Sequence, residues 1–297
     1  MTLSIGIVPV NSGAYMSQNY LTEFGQLAED LGYESLWTFE HVIIPEEYTS
    51  KYPYNPKGKL AISGQESFVD PLVAISFLAA VTKKIRFGTG VNILSQSNPL
   101  YLAKQVSSID HLSNGRLTFG VGVGWLEEEF NALGVKFENR GVRADEYIDS
   151  MRSVWTGELT NIDGKFVKWN GFRMRPTPKQ VNSKTKLTTI PIIIGGTSRA
   201  AIKRAAIRGD GWYVIHRDLA HFRELMADLQ RECASIGRDI RELEITAYWN
   251  YGREGLNGAR AYEEAGVHRL LVNTAALRMG DPKKAAESFA EEVVSKL

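Results

Sequence analysis

Residues 85–125 read IRFGTGVNILSQSNPLYLAKQVSSIDHLSNGRLTFGVGVGW, and this stretch decides the fold. Its two ends, residues 85–93 and 117–123, are short runs with the β-branched and aromatic content of strands. Between them, residues 99–112 open on Pro99, carry a helical pattern of apolar residues and stop before Asn114-Gly115. A strand, a helix and a second strand in that order predict parallel strands joined by a crossover.

The same alternation extends in both directions. Toward the N-terminus, strands are predicted at 3–8 and 35–39, with helices at 19–30, ended by Gly32, and from Asp70-Pro71 onward. Toward the C-terminus, a helix at 143–155 precedes strands at 190–194, 212–215, 243–248 and 267–272. Helices are expected at 198–208, 219–236, 256–265 and 281–296. Eight strand–helix pairs favour a (β/α)8 TIM barrel, read as one domain over residues 1–297. Two segments interrupt the pattern. Residues 42–69, with Pro45, Pro53 and Pro56 among several tyrosines, predict a loop after strand two. Residues 160–186, between strands four and five, carry Asp163-Gly164 inside a hairpin pattern.

Composition narrows the function classes. A net charge of +1, without a run of five like charges, gives no electrostatic footprint for nucleic acid. The longest apolar stretch, residues 71–81, is far shorter than the roughly 20 residues that span a bilayer. Residues 1–10 read as a strand rather than a secretory signal, and the single cysteine, Cys233, fits a reducing compartment. The expectation is a cytoplasmic enzyme acting on a small molecule.

In a barrel of this kind the site lies at the C-terminal ends of the strands. Glu40-His41, Gly90-Val91-Asn92, Gly122 to Trp125 and Gly195-Gly196-Thr197-Ser198 all fall there. His41 is a candidate proton donor, with Glu40 a candidate to orient its ring or raise its pKa. The Gly195–Ser198 turn precedes a helix and offers backbone N–H groups and two hydroxyls to a phosphate. Gly120-Val-Gly-Val-Gly124 falls short of a dinucleotide fingerprint, because Trp125 stands where the third glycine belongs and acidic residues follow. Its Gly122 and Gly124 are expected to let a flat ring or a phosphate lie against backbone. Arg140, Arg143 and Glu146 read as an ion-paired helix entry. His111, Asp110 and Arg116 read as a structural corner, and Trp37 and Trp125 as either ring-stacking or core aromatics. The five histidines are scattered, which gives a metal site little support.

Several motifs in this order resemble the luciferase-like monooxygenase superfamily. They are Gly88-Thr-Gly-Val91, Asn98-Pro99 with Ala103-Lys104, Leu112-Ser113-x-Gly115-Arg116-Leu117, and Gly120 to Trp125 with Glu129-Phe130. Arg140-Gly141, Asp145-Glu146-Tyr147, residues 176–180 and 191–198, and Gly209-Asp210-Gly211-Trp212 continue the match, which spans residues 1–216. Within the superfamily the chain is similar to probable F420-dependent oxidoreductases. That resemblance implies a pocket for coenzyme F420 or for FMN, and a non-prolyl cis peptide at Gly90–Val91. It implies hydride transfer with coenzyme F420, or oxygen chemistry with reduced FMN delivered by a partner flavin reductase. A non-catalytic flavin-binding protein is the alternative from another class, and homodimers are common in the superfamily. Glu40-His41 resembles the Asp–His pair of deazaflavin-dependent sugar-phosphate dehydrogenases. Trp125 replaces their catalytic Glu, which points away from sugar phosphates and toward an apolar pocket.

Overall fold

The computed structural model describes residues 3–60, 62–273 and 280–297. Eight parallel strands close into a barrel: β1 (Ser4–Ile7), β2 (Ser35–Thr38), β3 (Arg86–Thr89) continued by β4 (Asn92–Ile93), β5 (Leu117–Gly122), β8 (Ile192–Gly195), β9 (Gly211–Val214), β10 (Glu244–Trp249) and β11 (Arg269–Val272). Each pairs with its neighbour in the ring, and β1 against β11 seals it with Ser4 opposite Arg269. Around the strands pack α1 (Gln18–Asp30), α2 (Pro71–Val81), α3 (Pro99–Leu112), α4 (Glu127–Ala132), α5 (Arg140–Trp155), α6 (Arg199–Arg208), α7 (Leu219–Ser235), α8 (Tyr251–Glu264) and α9 (Pro282–Glu292). β6 (Thr160–Asp163) and β7 (Lys168–Phe172) form the antiparallel hairpin of the insertion between β5 and β8.

Local chemistry explains where these elements begin and end. Asp70 caps α2 by accepting from the N–H groups of Leu72 and Val73 at 2.9 Å each, with Pro71 in the first turn. Gly32 follows α1 at φ +82°, a conformation that costs glycine nothing. Where one strand was expected at 85–93, the chain breaks into β3 and β4. Phe87 stands opposite Leu117 but Asn92 opposite Val121, so one extra residue is accommodated between the two pairings. The Gly90–Val91 peptide inside that irregularity is cis. α5 starts at Arg140 rather than 143, and α4 was not anticipated. A six-residue helix is too short to show periodicity. α8 begins earlier than expected, with Gly255 at φ +59° breaking its first turn.

The barrel interior is filled by Val8, Trp37, Ile193, Tyr213 and Leu271. Trp37 is fully buried, its indole N–H donating to Ser35 Oγ at 2.7 Å. It is a core aromatic. Gly88 makes room for it, because a Cβ there would lie 2.4 Å from the indole ring. At the N-terminal mouth, buried Arg269 holds Glu34 through two bonds of 2.6 and 2.8 Å and also pairs with Glu244. A cavity of about 540 Å³ opens beside this cluster. No helix among the described residues is long and apolar enough to cross a membrane.

The other charged motifs also resolve into structure. Arg143 donates to the carbonyls of Ser95, Lys136 and Glu138, whereas Glu146 accepts from the N–H groups of Lys165, Phe166 and Val167. Arg140 donates to the Gly124 carbonyl. The expected mutual ion pairing is therefore replaced by backbone capping. The ion pairs run instead from Arg204 to Asp145 and from Arg208 to Asp149. Asp110 pins Lys179 and Gln180, and Arg116 caps the C-terminal end of α2 through Ala79 and Thr82.

Candidate functional site

Strand direction alone brings the predicted residues to one mouth of the barrel. His41, just beyond β2, is buried, and its Nδ1 lies 2.9 Å from Oε2 of Glu129. Glu129 stands in the first turn of α4 and is fully buried. Its Oε1 accepts from the N–H of Val42 at 2.6 Å and of Ile43 at 3.3 Å. Burial alone raises a carboxyl pKa, but the bond from His41 and its charge, with the Val42 amide, hold Glu129 below the ordinary value. The Gln96 amide contributes to that field without making a bond of ordinary geometry.

Sequence reasoning gave the place beside His41 to Glu40, and the structure gives it to Glu129. Successive side chains of an extended segment point to opposite sides. Glu40 accordingly turns to accept the N–H of Ile93. Burial pushes Glu40 up to about 8, against that bond, and the charges of Asp70 and Glu129 add to the rise. Between about pH 4.5 and 8 the folded chain therefore holds a proton that the unfolded chain has released, so stability falls as pH rises through that window. Glu40→Gln is expected to flatten this slope. Urea midpoints at pH 5.5 and 8.5 should differ more for the wild type than for the variant. Equal differences would contradict the assignment.

In the sequence Glu129 stands out only through the Glu129-Phe130 motif, with nothing to mark it as the partner of His41. Three acidic residues, Glu127 to Glu129, follow the β5 turn, and only the third faces inward beside Phe130. Its neighbour Glu128 accepts from Thr49 N and Oγ1 and from Ser50 N, so the two carboxylates of one turn fasten residues 42–50. Asn11 ties both ends of the same insertion to the end of β1, bonding Phe39 and Val69.

That insertion covers the mouth with aromatic rings. Trp125 meets His41, Tyr48 and Tyr52 edge-on, at centroid distances of 5.9, 5.5 and 5.2 Å. The Tyr54 hydroxyl lies 3.7 Å from where a Cβ on Gly196 would be. In the sequence these tyrosines show only as loop composition.

The strand-end glycines divide by what they admit. Val91 fills the space that side chains on Gly122 and Gly195 would need, at 2.7 and 2.5 Å. Phe130 and Ile93 do the same at Gly124, at 2.6 and 2.8 Å. Gly196 takes φ +115° and donates to the Tyr213 carbonyl, while Ser198 Oγ caps α6 through the Ala201 N–H. Among the described residues, the N–H groups of Thr197 and Ser198 have no backbone partner. Asn92 Oδ1 and Thr38 Oγ1 are buried and lack hydrogen-bond partners among the described residues. No cluster of His, Cys, Asp and Glu among the described residues is arranged to hold a metal ion.

Barrel and site together define a (β/α)8 scaffold with a buried histidine–carboxylate pair at the C-terminal mouth. The chain belongs to the luciferase-like monooxygenase family, whose model matches residues 1–251. An uncharacterized protein of Mycobacterium tuberculosis is 31% identical over 282 residues, covering 91% of this chain and 93% of its own length. The FMNH(2)-dependent dimethylsulfone monooxygenase of Pseudomonas putida is 24% identical over 226 residues, covering 75% of this chain and 56% of its own. Among solved structures, the coenzyme F420 dependent tetrahydromethanopterin reductase of Methanopyrus kandleri superposes with a TM-score of 0.75. It is 17% identical and covers 100% of this chain and 99% of its own.

Proposed function

We propose that the protein is an oxidoreductase that binds coenzyme F420 at the C-terminal mouth, with His41 passing the proton that accompanies hydride transfer to or from a small organic substrate. The observation carrying this reading is His41 itself, buried against Glu129 and bordered by Trp125, at the end where barrel enzymes do chemistry. The bound deazaflavin ring supplies the hydride acceptor or donor. The residues present fit such a group. Asn92 Oδ1 and Thr38 Oγ1 are buried polar atoms in want of a partner; Val91 precedes Asn92, and the Gly90 N–H donates to the Thr38 carbonyl at 2.6 Å. Gly195, Gly196, Thr197 and Ser198 would meet the phosphate, with the unpaired N–H groups of Thr197 and Ser198 as donors. Gly122 and Gly124 support this wall by admitting Val91, Ile93 and Phe130. Glu40 assists as a carboxyl that changes charge near neutral pH. Cytoplasmic residence suits Cys233, a buried free thiol.

The second reading is an FMNH2-dependent monooxygenase served by a partner reductase, favoured by the Pseudomonas putida relative. Equilibrium titration with coenzyme F420 and FMN, each oxidised and reduced, separates the two. Selective F420 binding is the expected result. Selective binding of reduced FMN would replace it with the oxygen-using reading, and binding of neither would remove both.

A further inference from the structure

Three consecutive residues of the β2 end converge on one carboxylate that lies 86–88 positions later in the chain. His41 Nδ1 meets Oε2 of Glu129, and the Val42 and Ile43 amides meet Oε1. A fully buried carboxylate is tolerated only when its oxygens are met by donors, and here both are. An ionised carboxylate can only accept. The hydrogen between Glu129 and the ring therefore belongs to Nδ1, and the neutral imidazole carries its lone pair on Nε2. Nε2 makes no hydrogen bond to any described residue. The other nearby acids face elsewhere: Glu40 meets Ile93, Glu128 meets Thr49 and Ser50, and Asp70 caps α2.

We infer that Glu129 is a two-sided positioning residue: Oε2 fixes the proton of His41 on Nδ1 so that Nε2 presents a lone pair, while Oε1 anchors the first residues of the insertion over the mouth. One carboxylate thereby sets both the proton-accepting atom and the root of its cover. The catalytic consequence rests on His41 being the proton-transfer group. The tautomer and the anchoring do not.

The test uses imidazole ¹H–¹⁵N correlation spectra and amide hydrogen exchange of the whole chain, without coenzyme. In the wild type His41 should be the Nδ1–H form, with the Val42 amide protected. Glu129→Gln keeps an oxygen for Val42 and Ile43 but removes the charge. The Nδ1–H population should then drop, because the amide nitrogen left facing the ring donates rather than accepts, and Val42 protection should change less than about tenfold. Glu129→Ala should lose both features. A wild-type His41 in the Nε2–H form overturns the inference even if neither variant folds, as does an Nδ1–H population unchanged in Glu129→Gln. Failure of coenzyme F420 to bind would sink the proposed function and leave these spectra unaffected. If the coenzyme binds, kcat of Glu129→Gln should fall with the Nδ1–H population, with coenzyme KM unchanged.

Discussion

Replacing His41 by alanine is expected to lower turnover about 10²- to 10⁴-fold, the usual contribution of a positioned proton-transfer group. Coenzyme affinity should stay within a few-fold of wild type. Among the described residues the ring's one hydrogen bond is to Glu129, and the N–H groups proposed for the phosphate belong to a different strand end, at Thr197 and Ser198. Loss of the ring leaves Glu129 Oε2 without its donor, while Oε1 keeps Val42 and Ile43. The insertion should therefore remain docked. Single-turnover rates with coenzyme F420 and fluorescence-derived Kd values separate chemistry from binding. Wild-type turnover in the variant would remove His41 from the mechanism, and a parallel loss of binding would make it a structural residue.

Gly120→Ala is expected to be the most damaging single methyl addition to the barrel. The new Cβ would sit 1.8 Å from the Thr89 carbonyl oxygen and 3.5 Å from Trp37 Cζ3. The first is backbone of an adjacent strand, held by Thr89 Oγ1 donating to the Gly120 carbonyl at 2.6 Å. A flexible side chain can swing aside, but a paired strand cannot. Overpacking typically costs about 1–3 kcal/mol and sometimes more. The rigid neighbour places this case at or beyond the upper end, against a total stability of about 5–15 kcal/mol. Gly134→Ala is the control, with nothing within 4 Å of its Cβ and a φ of +69°. That conformation should cost it only about 1–2 kcal/mol. Thermal melts should show a much larger loss for Gly120→Ala, or no soluble protein. Equal losses would mean that the strands yield more readily than the packing implies.

The fold was legible because its signals are local and repeated. Pro71 and Pro99 at helix starts, Gly32 and Asn114-Gly115 after helix ends, and short β-branched runs between them specify a β-α alternation without any knowledge of contacts. The mouth was half legible for the same reason. His41, Trp125 and Gly196 follow strand ends, Asn92 lies in the short β4, and topology alone places strand ends together. What escaped depends on long-range packing. Glu129 looks like one of three solvated acids until α4 turns it inward, and the tyrosines of residues 42–60 look like loop until Trp125 receives two of them. Glu40 failed as the partner of His41 because adjacency in sequence is opposition in an extended chain. Arg143 and Glu146 failed as an ion pair because nearby carbonyls and amides satisfied each of them first.

A coenzyme bound as proposed sits at the His41 end of the barrel, and three of the five histidines provide the reporters. His41 marks the C-terminal mouth. His268 lines the cavity of about 540 Å³ at the opposite mouth, and His111 lies at the exposed end of α3 beside Thr177. Imidazole resonances, assigned by single-histidine variants, should be followed during stoichiometric addition of coenzyme F420. The His41 signal should shift while those of His111 and His268 stay in place. A shift of His268 with His41 unmoved would put the ligand at the wrong end of the barrel and contradict it.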